Sequence, residues 1–65
     1  MTKKVRKVIS LIRECKTREE ILSLTYDYDF LVSLNDESIY ALNQLSDKMI
    51  TPNQFKVIAI DSLSR

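Results

Sequence analysis

The residues best placed to do chemistry in this 65-residue sequence are alternating tyrosines and aspartates, Tyr26-Asp27-Tyr28-Asp29. Closely spaced carboxylates occur in calcium loops, but the glycine and the bidentate glutamate that such a loop requires are missing. Tyrosine is enriched at the centre of protein interfaces, and aspartates steer a positively charged partner. The run therefore predicts a protein-binding surface in preference to a metal site.

A larger acidic block surrounds this run. Residues 19–47 contain seven acids and no Lys or Arg, so these carboxylates repel one another unless cations approach them. A cationic partner would relieve that repulsion, and we predict that the partner-binding residues are Tyr26, Asp27, Tyr28, Asp29, Asp36, Glu37 and Asp47. In the alternative, which stays open, cations of the first helix fold back onto the acids and neutralise them within the chain.

The N-terminal segment has the opposite charge. Residues 1–18 hold seven cations against Glu14, a balance of +6, although the net charge of the chain is only +1. Val5, Val8, Ile9 and Ile12 follow the spacing of one helical face, which leaves most cations on the other face. This predicts weak, non-specific phosphate contact, with a solvated back face as the alternative, through Lys3, Lys4, Arg6, Lys7 and Arg13.

Most enzymatic and cofactor chemistry is excluded by composition. The chain has no His, no Gly and a single cysteine, so catalytic dyads, zinc cages and glycine-rich phosphate loops are not available. We expect a non-enzyme with no cofactor, no metal and no small-molecule substrate. The lone Cys15 favours a reducing cytoplasm and is expected to be a small buried hydrophobe. The short apolar runs predict no membrane association.

The same composition predicts an all-α fold. Tight β-turns favour glycine, which is absent, whereas Thr17 and the Thr51-Pro52 pair are strong helix starts. We predict a bundle of four short helices in a single domain, residues 1–65, with helices at about 3–14, 18–26, 35–49 and 52–63. Residues 26–34 are expected to be a frayed helix end followed by an extended or one-turn linker, since a lone strand would have no partner.

The last two helices carry the clearest apolar patterns. In the third, an apolar seam with three-four spacing is predicted for Ile39, Leu42, Leu45 (or Ser46) and Met49. The fourth has an apolar arc so wide that it predicts burial on two sides, against the bundle and against a second molecule. We therefore expect a homo-oligomer, with self-association through Phe55, Val57, Ile60 and Leu63.

A similarity to a known family lies in the run Ile9-x-x-Ile12-Arg13-x-Cys15-x-Thr17-x-x-x-Ile21. It resembles the end of the first helix in the Hha/YmoA family of small enterobacterial gene-expression modulators. Phe30-x-Val32-Ser33-x-Asn35-Asp36-Glu37 is similar to that family's entry to its next helix. Ser46-Asp47-Lys48 resembles the element whose acidic residue contacts the nucleoid protein H-NS, although Lys48 and Met49 replace its His and Arg and Pro52 follows early.

Three functional hypotheses follow. In the first, the chain is a small regulatory protein that binds another protein, such as an H-NS-like nucleoid protein as the resemblance implies, and modulates transcription. In the second, it is a phage- or plasmid-encoded inhibitor that occludes a host enzyme or repressor with its acidic Tyr/Asp surface. The third, a direct non-specific nucleic-acid binder, depends on the basic first helix.

Overall fold

The computed structural model describes residues 2–65, and within them the chain forms helices and no strands. This confirms the predicted all-α fold. A 3₁₀ turn, Leu24–Tyr26, extends the second helix. The α-helices in chain order are α1 Lys3–Glu14, α2 Arg18–Ser23, α3 Tyr28–Val32, α4 Asp36–Ser46 and α5 Pro52–Ser64.

Threonine caps fix where three of these helices begin. The side-chain oxygens of Thr2, Thr17 and Thr51 accept hydrogen bonds from the backbone N–H three residues later, at 3.1–3.2 Å. At α5 the bond is reciprocated, because Gln54 Oε1 accepts from the Thr51 N–H at 2.8 Å. Each bond satisfies an N–H that has no partner inside the helix. Local sequence therefore determines the starts of α1, α2 and α5, as predicted.

The segment expected to be a linker contains α3. Asp27 caps this helix, since its Oδ1 accepts from the Asp29 N–H at 2.9 Å. Phe30 anchors it to the core with 2% of its surface exposed. The alternation of tyrosine and aspartate therefore forms a 3₁₀ turn followed by a short helix.

The third predicted helix is shorter than expected and ends at Ser46 instead of residue 49. Lys48 takes the left-handed conformation, with φ of 62°. The Met49 N–H donates to the Gln44 carbonyl at 2.8 Å, and the Lys48 N–H donates to the Leu45 carbonyl at 3.1 Å. These two bonds define a Schellman motif, in which glycine usually occupies the left-handed position.

The core lies between α1, α4 and α5, and Ile21 of α2 and Phe30 of α3 also belong to it. The N-terminus of α4 lies beside the C-terminus of α5, because Asn35 Nδ2 donates to the Ser62 carbonyl at 3.0 Å. The radius of gyration of 10.4 Å matches the value of about 11 Å expected for a compact chain of this length. The buried apolar side chains are Val8, Ile9, Ile12, Cys15, Ile21, Phe30, Leu34, Ala41, Leu42, Leu45, Phe55, Ala59 and Leu63.

Two residues of the predicted self-association surface belong to this core. Phe55 is fully buried and Leu63 is 8% exposed, so neither can contact a second molecule. The prediction is wrong for both, because the α5 face that carries them packs inside the chain. Val57 is 71% exposed and Ile60 is half-buried, so these two residues still face outward.

Two cations join helix ends across the bundle. Arg18 Nε donates to the Leu45 carbonyl at 2.9 Å, and Lys56 Nζ donates to the Arg13 carbonyl at 3.1 Å. The last carbonyls of a helix have no N–H partner within it and carry partial negative charge, so a cation is stabilised there. These contacts tie α2 to α4 and α5 to α1.

Candidate functional site

The four residues Tyr26, Asp27, Tyr28 and Asp29, called here the Tyr/Asp surface, lie at the junction of the 3₁₀ turn and α3. All four are exposed, and the two tyrosines are the most exposed aromatic side chains of the described residues, at 92% and 75%. Of the alternating aromatics only Phe30 is buried. The core therefore holds the base of the surface while its tyrosines remain in solvent.

Helix α3 adds two apolar residues that the sequence pattern did not reveal. Tyr28, Leu31 and Val32 are spaced i, i+3 and i+4, so they share one helical face. Leu31 and Val32 are 37% and 51% exposed. Together they enlarge the apolar part of the Tyr/Asp surface. The spacing could have revealed this face only if the segment had been predicted as a helix.

A cavity of about 190 Å³ separates α3 from α1 beside this surface. Lys4 and Lys7 line it together with Asp27 and Asp29. No ion pair within 4 Å joins these side chains, since the described ion pairs both involve Arg65. Both carboxylates therefore stay exposed to solvent, with the cations of α1 near them but not paired with them.

The other predicted partner-binding acids belong to α4 and do not line the cavity beside the Tyr/Asp surface. Asp36 and Glu37 occupy the first turn of α4, and Arg65 donates to Glu37 at 3.0 Å. Asp47 is the C-cap of the same helix, about 16 Å further along its axis. Asp36 and Glu37 line another groove, with Tyr40, Gln44 and Ile58, so the seven predicted residues do not all line one cavity.

The basic residues of α1 are divided in the same way. Lys4 and Lys7 face the cavity beside Asp27 and Asp29, whereas Arg6 and Arg13 line a separate cavity with Ile9, Ser10 and Ser64. Lys3 is exposed at the start of the helix. The predicted phosphate-contacting set therefore has two sides, and only the arginine side is remote from the Tyr/Asp surface.

Cys15 lies in the core at the end of α1, 6% exposed, and its Sγ donates to the Leu11 carbonyl at 3.3 Å. Burial raises the pKa of the thiol, the nearby carboxylates of Glu20 and Glu14 add to the rise, and Lys56 opposes it. The thiol is therefore protonated at neutral pH, whereas a nucleophilic cysteine reacts as the thiolate.

We expect the native Cys15 thiol to react with an aromatic disulfide reagent at least roughly tenfold more slowly than the same chain in denaturant, because reaction requires local opening. The measurement is the absorbance of the released thiolate with time at neutral pH. Equal rates with and without denaturant would show that Cys15 is accessible.

Neither a metal-binding cluster nor a membrane-spanning helix occurs in the part of the chain that the structure describes. Within residues 2–65, no cluster of His, Cys, Asp or Glu could hold a metal ion, and no helix is long and apolar enough to cross a membrane. The side-chain hydrogen bond that Arg65 donates to Asp61, with the negative charges of Glu37 and Asp61, raises the pKa of Arg65 above its ordinary value. No family model, curated protein or solved structure matches the chain.

Proposed function

We propose that this chain is a small, non-enzymatic regulatory protein that binds a positively charged surface of another protein. The observation that carries the proposal is the Tyr/Asp surface, where two tyrosines and two carboxylates remain exposed at the junction of the 3₁₀ turn and α3, and Phe30 anchors that helix. Exposed aromatic side chains at a fixed position lose little conformational entropy when a partner covers them.

The charges on this surface indicate the kind of partner. Asp27 and Asp29 supply two exposed carboxylates, and Leu31 and Val32 border the tyrosines with apolar area. A partner with Lys or Arg around an apolar centre would complement both features. The resemblance to the Hha/YmoA family makes an H-NS-like nucleoid protein the first partner to test, with modulation of transcription as the outcome.

The double change Asp27→Asn with Asp29→Asn should weaken binding to such a partner about three- to tenfold, mainly through slower association. Asparagine is as good an N-cap as aspartate, so α3 should keep its start and the melting temperature should change little. Surface-plasmon resonance at two salt concentrations measures the association rate, and the variant should also lose salt dependence.

A matched control removes two charges from the same acidic block but outside the surface. Glu19→Gln with Glu20→Gln changes the first turn of α2, and partner binding should stay within about twofold of the unmodified chain because distant charges are screened. If the aspartate pair instead lowers the melting temperature and leaves binding unchanged, those acids are structural and the proposal fails.

A third variant distinguishes between the two grounds for the proposal, which are the Tyr/Asp surface and the resemblance to the Hha/YmoA family. The resemblance to the Hha/YmoA family assigns partner contact to Asp47, which lies at the far end of α4 from the start of that helix. If Asp47→Asn alone abolishes binding to the nucleoid protein, the family-like contact operates and the Tyr/Asp surface does not. If the chain is instead an inhibitor of a host enzyme or repressor, it would bind that enzyme or repressor and not the nucleoid protein.

A further inference from the structure

A strip of apolar side chains crosses the outer side of α5. Val57 is 71% exposed, Ile58 37% and Tyr40 of the neighbouring helix 67%. Ile58 lines two adjoining grooves, one with Tyr40 and Gln44, the other with Ile50 and Val57. Val57 continues into a third groove with Ile60. We call these residues the α5 strip: Tyr40, Ile50, Val57, Ile58 and Ile60.

The two sides of the strip carry opposite charge. On the α1 side, Arg13 and Lys56 line the groove that holds Val57 and Ile60. On the α4 side, Asp36 and Glu37 line the groove that holds Tyr40 and Ile58. The groove between these two sides, which holds Val57 and Ile58, is also lined by the neutral polar side chains of Asn53 and Gln54.

The two sides stay opposite in net charge when the neighbouring charged residues are included. Arg13 and Lys56 supply two positive charges on one side, and Asp36 and Glu37 supply two negative charges on the other. Asp61 also lines the groove on the α1 side, and Arg65 donates to both Asp61 at 2.8 Å and Glu37 at 3.0 Å, so its positive charge is shared between the two sides. The α1 side of the strip therefore keeps a net positive charge and the α4 side a net negative charge.

We propose that the α5 strip is a homodimer interface, with a two-fold axis parallel to α5. Rotation about that axis places the strip of one copy on the strip of the other and exchanges the two sides. Arg13 and Lys56 of each copy then oppose Asp36 and Glu37 of its partner. A two-fold interface must be self-complementary, and this arrangement matches both the apolar centre and the charged sides.

Val57 is at the centre of the strip, so Val57→Asp should raise the dimer dissociation constant about 100-fold or more by burying an unpaired carboxylate. Sedimentation equilibrium over a range of concentrations measures this constant. The control is Ile39→Asp, which introduces the same charge at a 41% exposed isoleucine of α4 that lines none of the three grooves and should leave the dimer intact. Circular dichroism verifies that both variants remain helical.

Charge complementation tests the direction of the axis. Arg13→Glu and Asp36→Lys should each weaken self-association, because like charges then meet across the interface. An equimolar mixture should restore dimers, since the glutamate introduced in one variant opposes the lysine introduced in the other. Failure of the mixture to associate would overturn the proposed axis. A monomeric unmodified chain at millimolar concentration, or dissociation by Ile39→Asp equal to that by Val57→Asp, would overturn the interface itself.

Discussion

Replacement of Asn35 by alanine should lower the free energy of unfolding by roughly 2–4 kcal/mol, because one side chain both caps α4 and joins it to α5. Asn35 Oδ1 accepts from the Ser38 N–H at 3.0 Å, and Nδ2 donates to the Ser62 carbonyl at 3.0 Å. The hydroxyls of Ser38 and Ser62 also lie 2.8 and 3.2 Å from Oδ1. Both serines are buried, so their polar groups would lose a partner away from water.

Urea denaturation measures this loss, and Asn43→Ala supplies the matched control. Asn43 is an exposed residue of the same helix, and its replacement should change stability by less than about 0.5 kcal/mol. Asn35→Asp should be intermediate, since aspartate keeps the capping oxygen and loses the donor to Ser62. Equal stability of Asn35→Ala and Asn43→Ala would show that this network does not stabilise the chain.

The second large effect is a gain. Lys48→Gly should raise the free energy of unfolding by about 0.5–1 kcal/mol, because a non-glycine residue in the left-handed region costs about 1–2 kcal/mol. Part of that relief is offset by the greater freedom of glycine in the unfolded chain. For a domain of this size, the gain corresponds to a rise of about 2–8 °C in melting temperature.

Lys48→Ala is the control for this gain. It removes the same charge but keeps the Cβ that disfavours positive φ at this position. Alanine should therefore give no increase in melting temperature by differential scanning calorimetry. If alanine stabilises as much as glycine, the lysine charge and not its backbone conformation accounts for the effect.

Local signals in the sequence predicted the helix starts, because capping involves residues only three positions apart. The same signals missed the end of α4, where Lys48 occupies a position usually taken by glycine, which the sequence lacks. They also missed α3, since its cap, Asp27, was interpreted as part of an acidic surface. A helix this short is stabilised mainly by tertiary packing, here by the buried Phe30, and less by the helix propensity of its residues.

The apolar seam of α4 shows a second limit. Ile39 and Met49 were expected in the core, but they are 41% and 72% exposed, while Ser38 is fully buried. Ser38 enters the core because Asn35 satisfies its hydroxyl, which donates to Asn35 Oδ1 at 2.8 Å and accepts from the Asn35 N–H at 2.9 Å. Ser62, distant in sequence, donates to the same Oδ1 at 3.2 Å. A polar network of this kind has no periodic signature, so hydrophobic spacing assigns the wrong residue to the face.

The candidate site was predictable where it depends on consecutive residues. Tyr26, Tyr28, Asp27 and Asp29 are all exposed, in agreement with the exposed surface predicted from the alternating run. The approach of Lys4 and Lys7 to it follows from how helices pack. Charge counts along a sequence cannot show which acids and cations share one side of a bundle.

The most direct test of the proposed function is site-specific photo-crosslinking from the Tyr/Asp surface. A benzophenone side chain replaces Tyr28 in one sample and Ile39, exposed on α4, in the other, and each is irradiated with the purified nucleoid protein. We predict a crosslinked complex from position 28 only. The yield of this complex should fall when Asp27→Asn and Asp29→Asn are added. Equal crosslinking from both positions, or crosslinking from position 28 that is unchanged by the aspartate substitutions, would contradict binding through this surface.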